Sequence, residues 1–144
     1  MRGRGGRGGR GGRQVGAAVL RNKLLTGLQT NSTRRLQKDL KELMDADVPL
    51  VGVAAKPMDN NLFVWRANIK GPETSAYYGG VFHMEITFPQ NYPVSPPSIR
   101  MFTDIPHPCV SNRMIKLDML DSKGAKAGWY EGWSSAYTVE SILI

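Results

Sequence analysis

The chain has 144 residues, 41% of them hydrophobic, and a formal net charge of +7. That suffices for one domain with a packed core, and no apolar run approaches the roughly 18 residues of a membrane span. The single cysteine, Cys109, excludes an internal disulfide. It fits a reducing compartment, so a cytoplasmic and/or nuclear location is expected, and no metal or cofactor is expected.

The positive charge is concentrated at one end. Residues 1–33 hold seven basic residues and no acidic one, whereas residues 34–144 hold twelve of each. Residues 1–13, MRGRGGRGGRGGR, are almost wholly glycine and arginine. Glycine loses the most backbone entropy on ordering and the segment has nothing apolar to bury, so a disordered tail is expected over 1–31, including its linker. Arg2, Arg4, Arg7, Arg10 and Arg13 have the composition of segments that contact single-stranded RNA through phosphates. The tail lacks the aromatics that would stack bases, and a solvated tail with no fixed partner is the competing reading.

Over residues 17–28, Leu20, Leu24 and Leu28 recur at helical spacing. With the acid-free start this is the pattern of a mitochondrial presequence, but the glycine run argues against it, and a linker of marginal helix content is preferred. The folded part is expected over 32–144. Ser32 or Thr33 can cap a helix running to about Ala46, with Leu36, Leu40 and Leu43 as its buried stripe. Arg34, Arg35, Lys38 and Lys41 are expected mainly outside that stripe, on an exposed basic face.

Beyond Pro49 the period changes from helix to strand. Strands are expected near 51–56, 62–69, 81–88 and 98–102. In the third, Phe82, Met84, Ile86 and Phe88 are all apolar and alternate with Val81, His83, Glu85 and Thr87, which marks the face that packs on the helix. Turn signals at Asp59-Asn60-Asn61, Gly71-Pro72 and Gly79-Gly80 separate the strands. Thr138 can cap a further helix through TVESILI, which reads as one cut short. Helix, several hairpin-spaced strands and a later helix define an α+β domain with an antiparallel meander.

From Gly71 onward the punctuation is specific: Gly71-Pro72, Tyr77 with Gly79-Gly80-Val81-Phe82, Phe88-Pro89, Tyr92-Pro93, Pro96-Pro97, His107-Pro108, Leu117-Asp118-Met119-Leu120 and Trp133-Ser134. In order and spacing the chain resembles the ubiquitin-conjugating enzyme (UBC) family across roughly residues 34–144. The resemblance implies a four-stranded antiparallel sheet, an N-terminal helix and later helices, the C-terminal ones truncated here. Pro93, Pro96 and Pro97 cannot donate to a ladder and stiffen the loop between strands three and four. Tyr92 and Trp133 are large anchors whose polar atoms need partners if buried.

The family carries His-Pro-Asn and, some eight residues on, a cysteine before Leu-Asp. That cysteine takes ubiquitin as a thioester from an activating enzyme and passes it to a substrate lysine, because a thiolate is both nucleophile and leaving group. In the family the asparagine orders the loop and helps stabilise the oxyanion. This chain departs at both places: Cys109 stands at the asparagine position and Lys116 at the cysteine position. A lysine amine is almost wholly protonated near neutrality and is then no nucleophile. When neutral it would form an amide, which does not release its acyl group, so Lys116 would trap rather than relay. Cys109, the only thiol, lies seven residues from the usual position, so transfer through it would need rebuilt geometry; it also reads as a small buried apolar residue. His107 is a loop-ordering residue in this motif, and Asp118 orients the loop or stabilises a turn.

By the same resemblance Arg34, Arg35, Lys38 and Lys41 correspond to the contact with the activating enzyme. Tyr92, Pro93 and Val94 correspond to part of the ubiquitin ligase surface, where valine offers less anchor area than the common phenylalanine. Three functions are compatible with these residues: a transfer enzyme for ubiquitin or a ubiquitin-like protein, a ubiquitin-binding or scaffold variant that lost the thiol, and an RNA-associated adaptor working through the tail.

Overall fold

The structure, a computed structural model, describes residues 30–45, 50–122 and 132–143. Met1–Thr30 and Asn31–Ile144 are separate units, and the secondary structure described below belongs to the second. The tail arginines and the Leu20–Leu28 stretch lie outside the described residues, as does most of the loop between Asp121 and Gly132.

Helix α1 spans Asn31–Met44. It begins before the expected cap, so Ser32 sits inside it, and its hydroxyl donates to the Gln90 carbonyl at 2.6 Å instead of capping. The stripe is present: Leu36 is fully buried, and Leu40 and Leu43 pack against the core. Strands β1 (Val53–Met58), β2 (Asn61–Lys70), β3 (Val81–Thr87) and β4 (Ser98–Met101) form the expected meander. Two short strands extend it, β5 (Val110–Ser111) and β6 (Met114–Ile115), giving an antiparallel sheet in the order β1-β2-β3-β4-β6-β5.

The apolar face read from β3 is the face that is buried. Met84, Ile86 and Phe88 join Trp65, Ala67, Ile99 and Met101 in one core with Leu36. Trp65 meets Phe88 edge-on at 5.6 Å between ring centroids, and Phe88 meets Tyr92 at 4.8 Å. Edge-to-face rings of this kind add to the area they bury. Gly71 is required by crowding, because a Cβ there would lie 1.8 Å from the Tyr77 carbonyl oxygen. Gly79 is required by conformation, with φ of +83°.

The chain then passes through a 3-10 turn at Asp118–Leu120 to helix α2, Val139–Leu143. Thr138 caps α2 as expected: its hydroxyl accepts the Ser141 N–H at 3.2 Å, while the Ser141 hydroxyl accepts the Thr138 N–H at 2.8 Å. This reciprocal pattern satisfies two backbone donors at the helix start.

Candidate functional site

The β5–β6 hairpin brings the two altered positions together. Its loop, Asn112-Arg113, has positive φ at both residues, 52° and 64°, as a two-residue type I′ turn demands. Val110 pairs with Ile115 and Ser111 with Met114. One step further along the register, the Lys116 N–H donates to the Cys109 carbonyl at 2.7 Å. The seven-residue separation is therefore closed by the hairpin, and Cys109 and Lys116 face each other across it.

Arginine is costly in the left-handed region because of its Cβ. Arg113→Gly is expected to raise stability by about 0.5–1 kcal/mol, the relief of that strain less the greater entropy of glycine in the unfolded chain. A higher urea midpoint with an unchanged slope would show it.

The preceding loop is pinned from two sides. The Tyr77 hydroxyl donates to the Pro106 carbonyl at 2.6 Å, and its ring lies tilted against His107 at 5.8 Å. The Cys109 N–H donates to His107 Nδ1 at 3.0 Å, and the Val110 N–H to the His107 carbonyl at 3.0 Å. Since Nδ1 accepts, a neutral His107 ring carries its proton on Nε2. This is a loop-ordering arrangement.

Although their backbones touch, the two residues open onto different hollows. Half-buried Cys109 lines an apolar cavity of about 450 Å³ with Tyr77, Phe82, Ile105 and Ile115. Exposed Lys116 lines an adjoining depression with Asp118, Leu120 and Asp121, and Ile115 and Leu117 form the wall shared with the apolar cavity. Asp118 opens the 3-10 turn, and its carbonyl accepts the Asp121 N–H at 3.0 Å. The Asp121 carbonyl in turn accepts the Trp133 N–H at 3.0 Å, so the ends of the long loop meet beside this depression.

The expected partner surfaces divide. Arg34, Lys38 and Lys41 are exposed on α1, with Lys38 only 3.5 Å from Glu42. Arg35 corrects the expectation of a four-residue basic face. Its side chain is only 20% exposed and is committed inward. It donates to Asp39 at 2.8 Å and to the carbonyls of Ser135 and Tyr137 at 2.8 and 2.7 Å. Burial works against its charge, but the Asp39 hydrogen bond and field outweigh that and raise its pKa.

Asp39, 2% exposed, is the residue that sequence reasoning missed. Its second oxygen accepts the Tyr92 hydroxyl at 2.7 Å. The carboxylate thus ties α1 to the loop that presents Pro93 and Val94, and through Arg35 to the segment before α2. Trp133 adds a second tie, its Nε1–H donating to the Pro93 carbonyl at 2.8 Å. Both anchors have the partners their burial calls for. Tyr92, expected on the ligase surface, is instead in the core at 1% exposed with its hydroxyl committed to Asp39, whereas Val94 projects, 73% exposed.

Tyr92 is held neutral, first by burial and then by Asp39, so its pKa is raised above the ordinary value. An unfolded tyrosine ionises near pH 10 (about 10). The stabilisation is therefore fully present below pH 10 and is lost as the pH rises above it. Tyr92→Phe is expected to lower neutral-pH stability by about 1.5–3 kcal/mol, because Asp39 loses a hydrogen bond. It is also expected to flatten the alkaline decline in stability, which denaturant titrations from pH 8 to 11 would measure.

A helix laid on one face of an antiparallel meander, with a pinned His-Pro loop, a protruding proline loop and a short hairpin ahead of Leu-Asp, is the α+β arrangement that the resemblance implies. A family model described as ubiquitin-conjugating enzyme matches residues 35–144, and the chain belongs to that family. It is 40% identical over 115 residues to ubiquitin-conjugating enzyme E2 7 of Arabidopsis thaliana, covering 76% of this chain and 68% of that protein. The structure of human ubiquitin-conjugating enzyme E2 G1 is similar with a TM-score of 0.69 and 33% identity, covering 80% of this chain and 90% of that one.

Proposed function

We propose that this chain engages the ubiquitin-transfer machinery but does not turn ubiquitin over. In the family reaction the incoming thioester carbonyl is attacked by a thiolate, the activating enzyme's thiolate leaves, and the new thioester is later cleaved by an amine. With Lys116 at that position, the sole productive attack is by the neutral amine. The thiolate leaves, the amine proton passes to solvent, and an amide remains. An amide lacks a good leaving group, so the second half of the cycle has no substrate.

The carrying observation is that Lys116 is exposed at the site while Cys109, the only thiol in the chain, opens onto a different, apolar hollow. The partner surfaces of this reading are Arg34, Lys38 and Lys41 for the activating enzyme, and Pro93 and Val94 for a ligase. Its setting is the reducing cytoplasm or nucleus. The test is incubation with activating enzyme, ATP and ubiquitin, resolved on gels with and without reductant. No reductant-labile adduct is expected, and any stable adduct should map to Lys116. A labile adduct on Cys109 would overturn the reading.

A further inference from the structure

The sheet has a second face. Opposite the core, Lys56, Arg66, Asn68, His83 and Arg100 are exposed, and the helices pack against the buried Trp65 side. The four meander strands contain four basic residues, Lys56, Arg66, Lys70 and Arg100, and one acidic residue, Glu85. Three of the cations and the acid form one row across the sheet. Lys56 is opposite Arg66, Arg66 opposite Glu85, and Glu85 opposite Arg100.

Like charges directly opposed across strands are destabilising, and here one carboxylate serves three cations. Glu85 pairs with Arg66 at 3.1 Å; among the described residues Lys56 and Arg100 have no ion pair. At the usual strand spacing of about 4.8 Å the row is about 14 Å long. Beside it, the Arg66 guanidinium lies 4.3 Å from the centroid of the Phe102 ring, with both side chains open to solvent at 45% and 38%. Asn68 and His83, hydrogen-bonded to each other, stand in the next row and line a shallow hollow with Arg66 and Phe102.

We propose that this outer face binds single-stranded nucleic acid. The unneutralised row supplies phosphate contacts, the Arg66–Phe102 layer continues into base stacking, and the amide and imidazole of Asn68 and His83 meet base edges. An acidic peptide would use the cations but has no use for the exposed π layer, which is what favours a nucleobase-bearing partner. The proposal is independent of the chemistry at Lys116.

The test uses the full chain with Arg2, Arg4, Arg7, Arg10 and Arg13 replaced by serine, so that tail binding is removed. Anisotropy of a fluorescent 20-nucleotide poly-uridylate is followed against potassium chloride concentration. This protein should bind, and Lys56→Ala with Arg100→Ala should flatten the slope of log affinity against log salt by about 1.4, two contacts at about 0.7 each. Phe102→Ala should weaken binding between about fivefold and a hundredfold at fixed salt and leave the slope unchanged. Circular dichroism checks that each variant is folded. No binding by the tail-neutralised chain, or variants that bind like it, would overturn the proposal. So would polyglutamate competing as well as the RNA with no effect of Phe102→Ala, which would assign the face to an acidic protein instead.

Discussion

Asp39→Ala is expected to destabilise the fold by about 3–5 kcal/mol, the loss typical of removing one partner from a buried charge pair. The magnitude reflects what the change strands. Arg35 keeps the Ser135 and Tyr137 carbonyls but loses its counter-charge. The Tyr92 hydroxyl, in a residue only 1% exposed, loses its acceptor. Three chain segments far apart in sequence meet at this carboxylate, so the α1 packing and the Pro93–Val94 loop should loosen together. Urea titration with matching fluorescence and circular dichroism midpoints would measure it; a loss below about 1 kcal/mol, the range of an exposed pair, would show that the network contributes little. Asp39→Asn, which keeps the shape and one acceptor, should fall between.

Lys116→Cys is expected to create a ubiquitin adduct that reductant removes. Position 116 is exposed, and its backbone is fixed by the bond to Cys109, so the exchange alters the side chain without disturbing the hairpin. A thiol there can both attack and leave. Discharge should remain slow. Adding Cys109→Asn should not by itself restore fast discharge, because position 109 lines the apolar cavity and not the depression at residue 116, so a donor there is not aimed at the developing oxyanion. Failure of Lys116→Cys to form any labile adduct in the presence of activating enzyme and ATP would mean that residue 116 is not where the acyl group arrives.

Much of the architecture was legible because it rests on repetition. The alternation of Phe82, Met84, Ile86 and Phe88 identifies a strand and its buried face, and glycines and prolines at fixed intervals identify the meander. Two-residue strands have no period to read, so β5 and β6 left no such mark, and with them went the juxtaposition of Cys109 and Lys116. Sequence distance suggested separation, whereas hairpin register creates contact.

Arg35 and Asp39 failed for a different reason. A helical wheel sorts charged residues outward, and both are charged. Asp39 nevertheless lies three residues after Leu36 and one before Leu40, within the buried stripe, and it stands four residues after Arg35, the spacing of a helical ion pair. A carboxylate inside an apolar stripe, with a buried tyrosine hydroxyl in want of an acceptor, was the available signal. The candidate site was thus legible in its residue types and not in its geometry. The motif singles out Lys116 and His107 as candidates, but only the folded hairpin shows the amine and the thiol lining adjoining, different hollows.

An amine at position 116 should halt the cycle after one acyl group at most, and turnover itself can be counted. Activating enzyme, ATP, excess fluorescent ubiquitin and free lysine are supplied, and ubiquityl-lysine formed per molecule of this chain is measured. No product is expected above the level seen with activating enzyme alone, whereas accumulation of several equivalents per chain would contradict the trapped-amide chemistry.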